Sequence, residues 1–167
     1  MRRFLMPVIS LFASSLMAEQ VGNMEYKLPE IQENWKIANE FHGNAKRKSS
    51  TVIYIPESDT SENMQEFFAV HVSNLPSENL DEESLKKPFD VLFPGQEIEM
   101  TILEKDASSA MYAWAAKEEF FKGLGRVFTN ENGTSMISWQ AENADIFEAH
   151  REVVVKALKE AKIVNNK

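Results

Sequence analysis

The sequence predicts one α+β domain in which a largely antiparallel sheet is flanked by helices. Segments that alternate apolar and polar residues recur through the second half of the chain, and turn residues separate them closely enough for hairpins. The chain ends in an amphipathic helix. Its 167 residues, 43% of them hydrophobic, suit a single domain with its own core. We therefore expect both predicted helices to pack on the sheet.

Residues 1–18 have the pattern of a secretory signal peptide. A basic start precedes an apolar stretch over residues 4–16, and the chain then turns polar. The stretch is shorter than the about 20 residues that a membrane-spanning helix needs. We expect cleavage after Ala18, with cleavage after Ser15 as the alternative and an uncleaved amphipathic or anchor helix as the competing interpretation. The mature domain is then residues 19–167.

The lack of cysteine indicates where the protein acts, and the excess of acidic residues indicates which partners it can bind. Without cysteine the core must hold the fold unaided, and a lipoprotein anchor is excluded, so we expect a bacterial periplasmic or secreted protein. A net charge of −8 repels nucleic acid and anionic lipid. We expect no nucleic-acid partner and no stable membrane anchor after cleavage. The expected partner is a protein or envelope component that carries basic groups.

The first half of the mature chain predicts an extended lead-in and then a strand. Residues 19–33 have no clear periodicity and are interpreted as the lead-in. A strand follows from Trp35, with Ile37 and Phe41 on its buried face and polar residues facing outward. The turn falls at Gly43, and the basic cluster after it is interpreted as a solvated turn. That cluster consists of Lys46, Arg47 and Lys48.

Two further strands are predicted before the first helix. Residues 51–55 are β-branched or aromatic throughout, and Pro56 closes that strand. Residues 67–72 favour a strand, with a short helix from Ser61 as the alternative. Its apolar face would contain Phe68, Val70 and Val72.

A helix over about residues 81–93 opens with acidic residues, which suit the positive end of its dipole. Pro88 predicts a kink or an early end, and Pro94-Gly95 predicts a firm stop.

The second half predicts four strands in two hairpins. Residues 98–102 and 110–115 alternate as a half-buried pair, and residues 120–129 pair with residues 134–140. Asn132-Gly133 is favoured chemistry for a tight hairpin turn.

The closing helix runs from about Asp145 to Lys162. Asp145 is a plausible N-cap, with Glu148 completing a capping box. Its apolar stripe is predicted to contact the sheet. The stripe consists of Ile146, Val153, Val154, Ala157, Leu158 and Ala161.

No catalytic motif stands out, and the catalytic residues stay unknown. The three histidines, His42, His71 and His150, lie far apart in sequence, so we predict no metal site and no cofactor. The pair Gly123 and Gly125 lacks the rest of a phosphate loop and is better explained by strand structure.

The segments Ile53–Glu57 and Met136–Trp139, with the closing helix, resemble small exported bacterial proteins of PsbP-like architecture. The resemblance implies an antiparallel sheet between helices and a binding, assembly or accessory role. It covers the order of elements and implies no functional residue.

The sequence therefore predicts an exported, non-enzymatic binding or accessory module. One alternative is a metal-independent hydrolase built from dispersed serine, histidine and acidic residues. Another is a small-ligand carrier with an aromatic pocket. The candidate pocket residues are Tyr54, Tyr112, Trp114 and Trp139; the competing interpretation of these rings is ordinary core.

Overall fold

The structure is a computed structural model in which parts of the chain are described. The described residues are 19–21, 23–43, 48–60, 62–75, 79–92, 94–117 and 121–164. The predicted signal peptide, residues 1–18, lies outside them, so export and cleavage stay predictions.

The described residues form short strands and two helices. In chain order the elements are β1 (Glu19–Val21), β2 (Met24–Tyr26), β3 (Trp35–His42), β4 (Ser49–Pro56), β5 (Glu66–Ser73), α1 (Glu82–Leu92), β6 (Ile98–Lys105), β7 (Ser109–Ala116), β8 (Phe121–Asn130), β9 (Gly133–Ala141), α2 (Ala144–Glu160) and β10 (Lys162–Ile163).

The main sheet has seven strands in the order β3-β4-β5-β9-β8-β7-β6. Each neighbouring pair is antiparallel. Two meanders, β3-β4-β5 and β6-β7-β8-β9, join where β5 pairs with β9. These observations confirm the predicted α+β fold and its antiparallel sheet. They also confirm β5 as a strand over the helical alternative.

The two helices pack on opposite faces of the main sheet. On the α2 face, Phe147 stacks on Trp139 with ring centroids 5.4 Å apart. On the α1 face, Phe89 packs on Trp114 with centroids 4.7 Å apart. The two tryptophans are aligned with consecutive residues of β8, whose side chains point to opposite faces. The prediction that helices flank the sheet is therefore confirmed.

A second, three-stranded sheet in the order β1-β2-β10 adds to the core of the α2 face. Met24 and Tyr26 of β2 are buried in that core, and the hydroxyls of Tyr26 and Tyr54 lie 2.6 Å apart. The predicted lead-in, residues 19–33, therefore contains two strands. Strands of two or three residues are too short to show a period, and β10 comes from the far end of the chain.

The strand β3 exists, but its buried face was predicted wrongly. A bulge between Ile37 and Asn39 shifts the pairing of β3 with β4. The extra residue places Phe41 on the α1 face, whereas Trp35 and Ile37 stay on the α2 face. Ile37 is 53% exposed and Phe41 is 52% exposed. At this sheet edge only the Trp35 end is half-buried against the core.

The first helix passes through its proline. Pro88 lies inside α1, and the helix continues to Leu92 rather than ending early. Its acidic first turn is as predicted. Gly95, with φ of +84°, reverses the chain after the helix. Among the described residues, no helix is both long and apolar enough to cross a membrane.

The last helix begins and ends slightly earlier than predicted. Its N-cap is Asn143, not Asp145, because the Asn143 side chain accepts the Ile146 N–H at 2.9 Å. Asp145 lies in the first turn, and residue 162 belongs to β10. The packing of the apolar stripe is confirmed for its buried members, Val154, Ala157, Leu158 and Ala161.

The two predicted hairpins are confirmed, and their two turns are built in different ways. In the β6–β7 turn, amides of Ser108 and Ser109 donate to Asp106 Oδ1 at 2.7 Å. These hydrogen bonds and that from the Ser109 hydroxyl lower the pKa of Asp106 to about 2. In the β8–β9 hairpin, Gly133 pairs with Asn130 instead of occupying a central turn position.

Candidate functional site

The four candidate pocket aromatics lie in two separate cores. Tyr54 and Trp139 are buried on the α2 face. Tyr112 and Trp114 are buried on the α1 face. Because the sheet separates the two pairs, the four rings do not surround one common cavity.

Two glycines of β8 accommodate the rings of the α1 face. A Cβ on Gly125 would lie 2.4 Å from Tyr112 Cζ, and one on Gly123 would lie 2.2 Å from Trp114 Nε1. Both distances are far below van der Waals contact. The glycine pair therefore serves close packing within a strand, in agreement with the structural interpretation of its sequence.

Two of the three histidines contact hydroxyl groups, and the third contacts a carboxylate. His42 Nδ1 lies 3.3 Å from the Ser50 hydroxyl, at an exposed position. His71 Nδ1 lies 2.8 Å from the Thr51 hydroxyl. Burial lowers the pKa of His71, so its neutral form is favoured near neutral pH. Neither histidine has a carboxylate among these contacts.

His150 instead contacts a buried carboxylate. Glu66 is 4% exposed and accepts a hydrogen bond from Trp139 Nε1 at 2.8 Å. His150 Nδ1 lies 3.1 Å from the same carboxylate. The cluster ties β5, β9 and α2 together and gives the buried carboxyl group of Glu66 hydrogen-bond partners, as burial of a polar group requires. In the described part of the chain, the histidine that contacts a carboxylate is thus not one of the two that contact a hydroxyl.

Half of the α1 face lies beyond the core under α1. That core takes its buried sheet residues from β6, β7 and β8. The central part of the remaining surface, on β3, β4, β5 and β9, is named the open half; Lys36, Asn39 and Ile55 lie on the same face at its border, and Ile55 is 2% exposed. The open half consists of Phe41, Thr51, Ile53, Phe67, Ala69, His71, Met136, Ser138 and Gln140.

Strand register places these side chains in rows across the open half. One row runs from Phe41 through Thr51 and His71 to Met136. Phe41 is exposed, and the other members of the open half are half-buried. At the boundary with the α1 core, the Tyr112 hydroxyl donates to Met136 Sδ at 3.2 Å.

The nine residues of the open half include no Asp, Glu, Lys or Arg, but Lys36, which pairs with Ile55 on the same face, borders it. Antiparallel strands with one solvated face normally alternate apolar and polar residues. β4 and β5 depart from that rule, because they have apolar residues on both faces. Ile53 and Phe67 lie on the α1 face, whereas the residues that follow them in the chain lie in the core of the α2 face. Depletion of charge with enrichment of aromatic residues and methionine is typical of interface centres. Sequence reasoning missed this surface, but the apolar residues on both faces of β4 and β5 were a usable signal.

A polar cleft of about 210 Å³ lies at one end of the sheet. It is bordered by the start of β2, the start of β4, the end of β5 and the β8–β9 turn. Its lining residues are Asn23, Lys48, Val72, Ser73, Asn74, Asn132, Gly133 and Ser135. Lys48 belongs to the basic cluster interpreted as a solvated turn, and it is exposed. Lys46 and Arg47 lie outside the described residues.

Comparison with known proteins adds no relative: no family model matches the sequence, and no curated protein is significantly similar to it. Functional inference for this chain therefore depends on its own residues.

Proposed function

We propose that this chain is an exported, non-enzymatic binding module that acts in the periplasm or outside the cell and holds its partner on the open half. The observation that carries the proposal is a sheet surface that is rich in apolar residues and bordered by Lys36, on a strongly acidic protein. Covering such a surface removes apolar area from water, at about 25 cal/mol per Å². Export is expected from residues 1–18.

The sheet face, rather than the sheet edge, is the proposed contact. A free edge strand pairs with another chain through its backbone, and natural edges are protected by bulges and local hydrogen bonds. β3 has a bulge after Ile37, and the Glu40 N–H donates to the Asn39 side chain at 2.9 Å. These features disfavour strand addition and leave the side chains of the face as the attractive surface.

The proposed partner presents an apolar patch with basic groups around it. The patch would match Ile53, Phe67 and Met136, and basic groups would be drawn by the net charge of −8. Lys36 at the rim is already engaged, since its Nζ donates to the Glu57 carbonyl at 2.7 Å. The PsbP-like resemblance supports a binding or accessory role by analogy alone.

Two observations favour binding over the alternatives. A serine hydrolase needs one histidine that contacts both a nucleophile and an acid. In the described part of the chain, His71 contacts a hydroxyl and His150 contacts Glu66. A carrier needs a cavity, whereas Tyr112 and Trp139 fill cores on opposite faces.

Site-specific photo-crosslinking in cells tests the proposal. A photoreactive residue at position 138 should yield a discrete crosslinked protein, because Ser138 lies within the open half. The same residue at position 156 is the control, since Lys156 lies on the exposed side of α2. The variant Ala69→Glu, which introduces a charge beside position 138, should remove the product while the protein stays folded.

Three results would contradict the proposal. A crosslinked species of twice the chain's mass would identify a second copy as the occupant. Equal products from positions 138 and 156, or none at 138 under native expression, would mean that the open half holds no dedicated partner.

A further inference from the structure

We propose that the polar cleft binds a small oxyanion, meaning a carboxylate or a phosphate group. This site is separate from the proposed partner surface. Val72 and Ser135 are aligned across β5 and β9 on the α2 face, whereas the open half lies on the α1 face. The two proposals can therefore fail independently.

Backbone hydrogen bonds hold the walls of the cleft in place. The Asn74 N–H donates to the Lys48 carbonyl at 3.0 Å, which joins the end of β5 to the start of β4. The Val164 N–H donates to the Asn23 carbonyl at 2.7 Å. The walls come from segments distant in sequence, so the cleft is a product of the fold and not of one loop.

Gly133 allows the β8–β9 turn to close against β5. Its φ is +144°, and a Cβ there would lie 2.0 Å from the Ser73 carbonyl oxygen. The next residue, Thr134, donates from its hydroxyl to the Leu75 carbonyl at 2.8 Å. A side chain at position 133 would therefore push this wall away and change the shape of the cleft.

The polar groups in the cleft favour a ligand that accepts hydrogen bonds. Ser135 is buried, and its hydroxyl donates to Asn23 Oδ1 at 3.3 Å. The amide N–H groups of Asn23 are then its remaining polar groups, and these are donors. The carboxamides of Asn74 and Asn132 also border the space.

The positive charge in the cleft lining favours an anion among such ligands. Lys48 is the one charged residue in the described lining, which contains no Asp or Glu. In the whole chain acidic residues outnumber basic ones by 26 to 18. A cation surrounded by amide and hydroxyl groups offers charge-assisted hydrogen bonds to oxyanions. The cleft has a volume of about 210 Å³, whereas sites for drug-sized molecules have volumes of about 300–1,000 Å³. The expected ligand is therefore small.

Titration of the purified protein followed by NMR tests this inference. Sodium phosphate, sodium acetate and glucose are added separately, at ionic strength held constant with chloride. We expect saturable shifts of the Asn74 and Gly133 amides with phosphate or with acetate, and none with glucose. The preferred anion then identifies the oxyanion class.

Two variants and a control sharpen the result. Asn74→Asp keeps the shape of an exposed side chain but places a carboxylate beside the ligand, so binding should be lost. Lys48→Gln should weaken binding about tenfold, the effect of losing one charge-assisted contact. Asn63→Asp makes the same chemical change in the β4–β5 loop, at the other end of these strands, and should bind as the wild type does.

Several outcomes would overturn the inference. They are the absence of saturation with either anion, equal binding of glucose, and undiminished anion binding by Asn74→Asp. Unfolding midpoints measured for each variant separate loss of the site from loss of the fold.

Discussion

The two halves of the α1 face differ in what covers them. Over β6, β7 and β8, Phe89 of α1 packs on Tyr112 and Trp114, and both sheet rings are buried. Over β4, β5 and β9, residues such as Ile53 and Phe67 are only half-buried. One half of this face is thus a core covered by α1, and the other half is a half-buried surface that α1 does not cover. The open half is available for recognition, because α1 does not cover it.

The sharpest test of this comparison uses two consecutive residues of one type. Phe68 is 0% exposed in the core of the α2 face, and Phe67 is half-buried in the open half. We expect Phe68→Ala to lower the free energy of unfolding by about 3–5 kcal/mol, since it leaves a cavity. Phe67→Ala should cost about 1 kcal/mol or less, as expected at a surface position.

Urea unfolding at neutral pH measures both values. Similar losses for the two variants would mean that the open half is covered in solution, and the distinction between the halves would fail.

The covered half should resist added volume. Gly125→Ala should destabilise the protein by about 1–3 kcal/mol, because its Cβ would fall 2.4 Å from Tyr112 Cζ. Tyr112→Leu removes that ring, so the double variant should lose less than the sum of the two single variants. A double-mutant cycle on unfolding free energies measures this coupling. Additive losses would show that the glycine matters for its backbone and not for the ring.

The sequence predicted the elements whose patterns are local. Alternation in β6 and β7 and the stripe of α2 follow from one chain segment each. The small sheet was not predicted, because β2 pairs with β10 from the far end of the chain. The face of Phe41 was not predicted correctly either, since a single bulged residue reverses the sidedness of a strand.

The candidate sites depended even more on non-local contacts. Nothing in the sequence near Glu66 indicates that Trp139 and His150 meet its carboxylate. The cleft beside Lys48 likewise requires the register of β5 with β9. The sequence named Tyr54 and Tyr112 as candidate pocket residues, but it could not tell which face of the sheet each one occupies.

The smallest expected effect concerns pH and the open half. Burial lowers the pKa of His71 in the folded protein below the usual histidine value of about 6.5. The unfolded chain therefore binds a proton more readily, and stability should fall as the pH drops below about 6.5, levelling off below the folded pKa. His71→Gln should reduce this part of the slope, whereas His42→Gln at an exposed position serves as the control. Unfolding midpoints between pH 5 and pH 7.5 measure the difference. A partner that covers the open half would bury His71 further, so the same variant should also reduce any weakening of partner binding in acid. An unchanged slope in His71→Gln would mean that this side of the sheet is more solvated than its half-buried residues indicate.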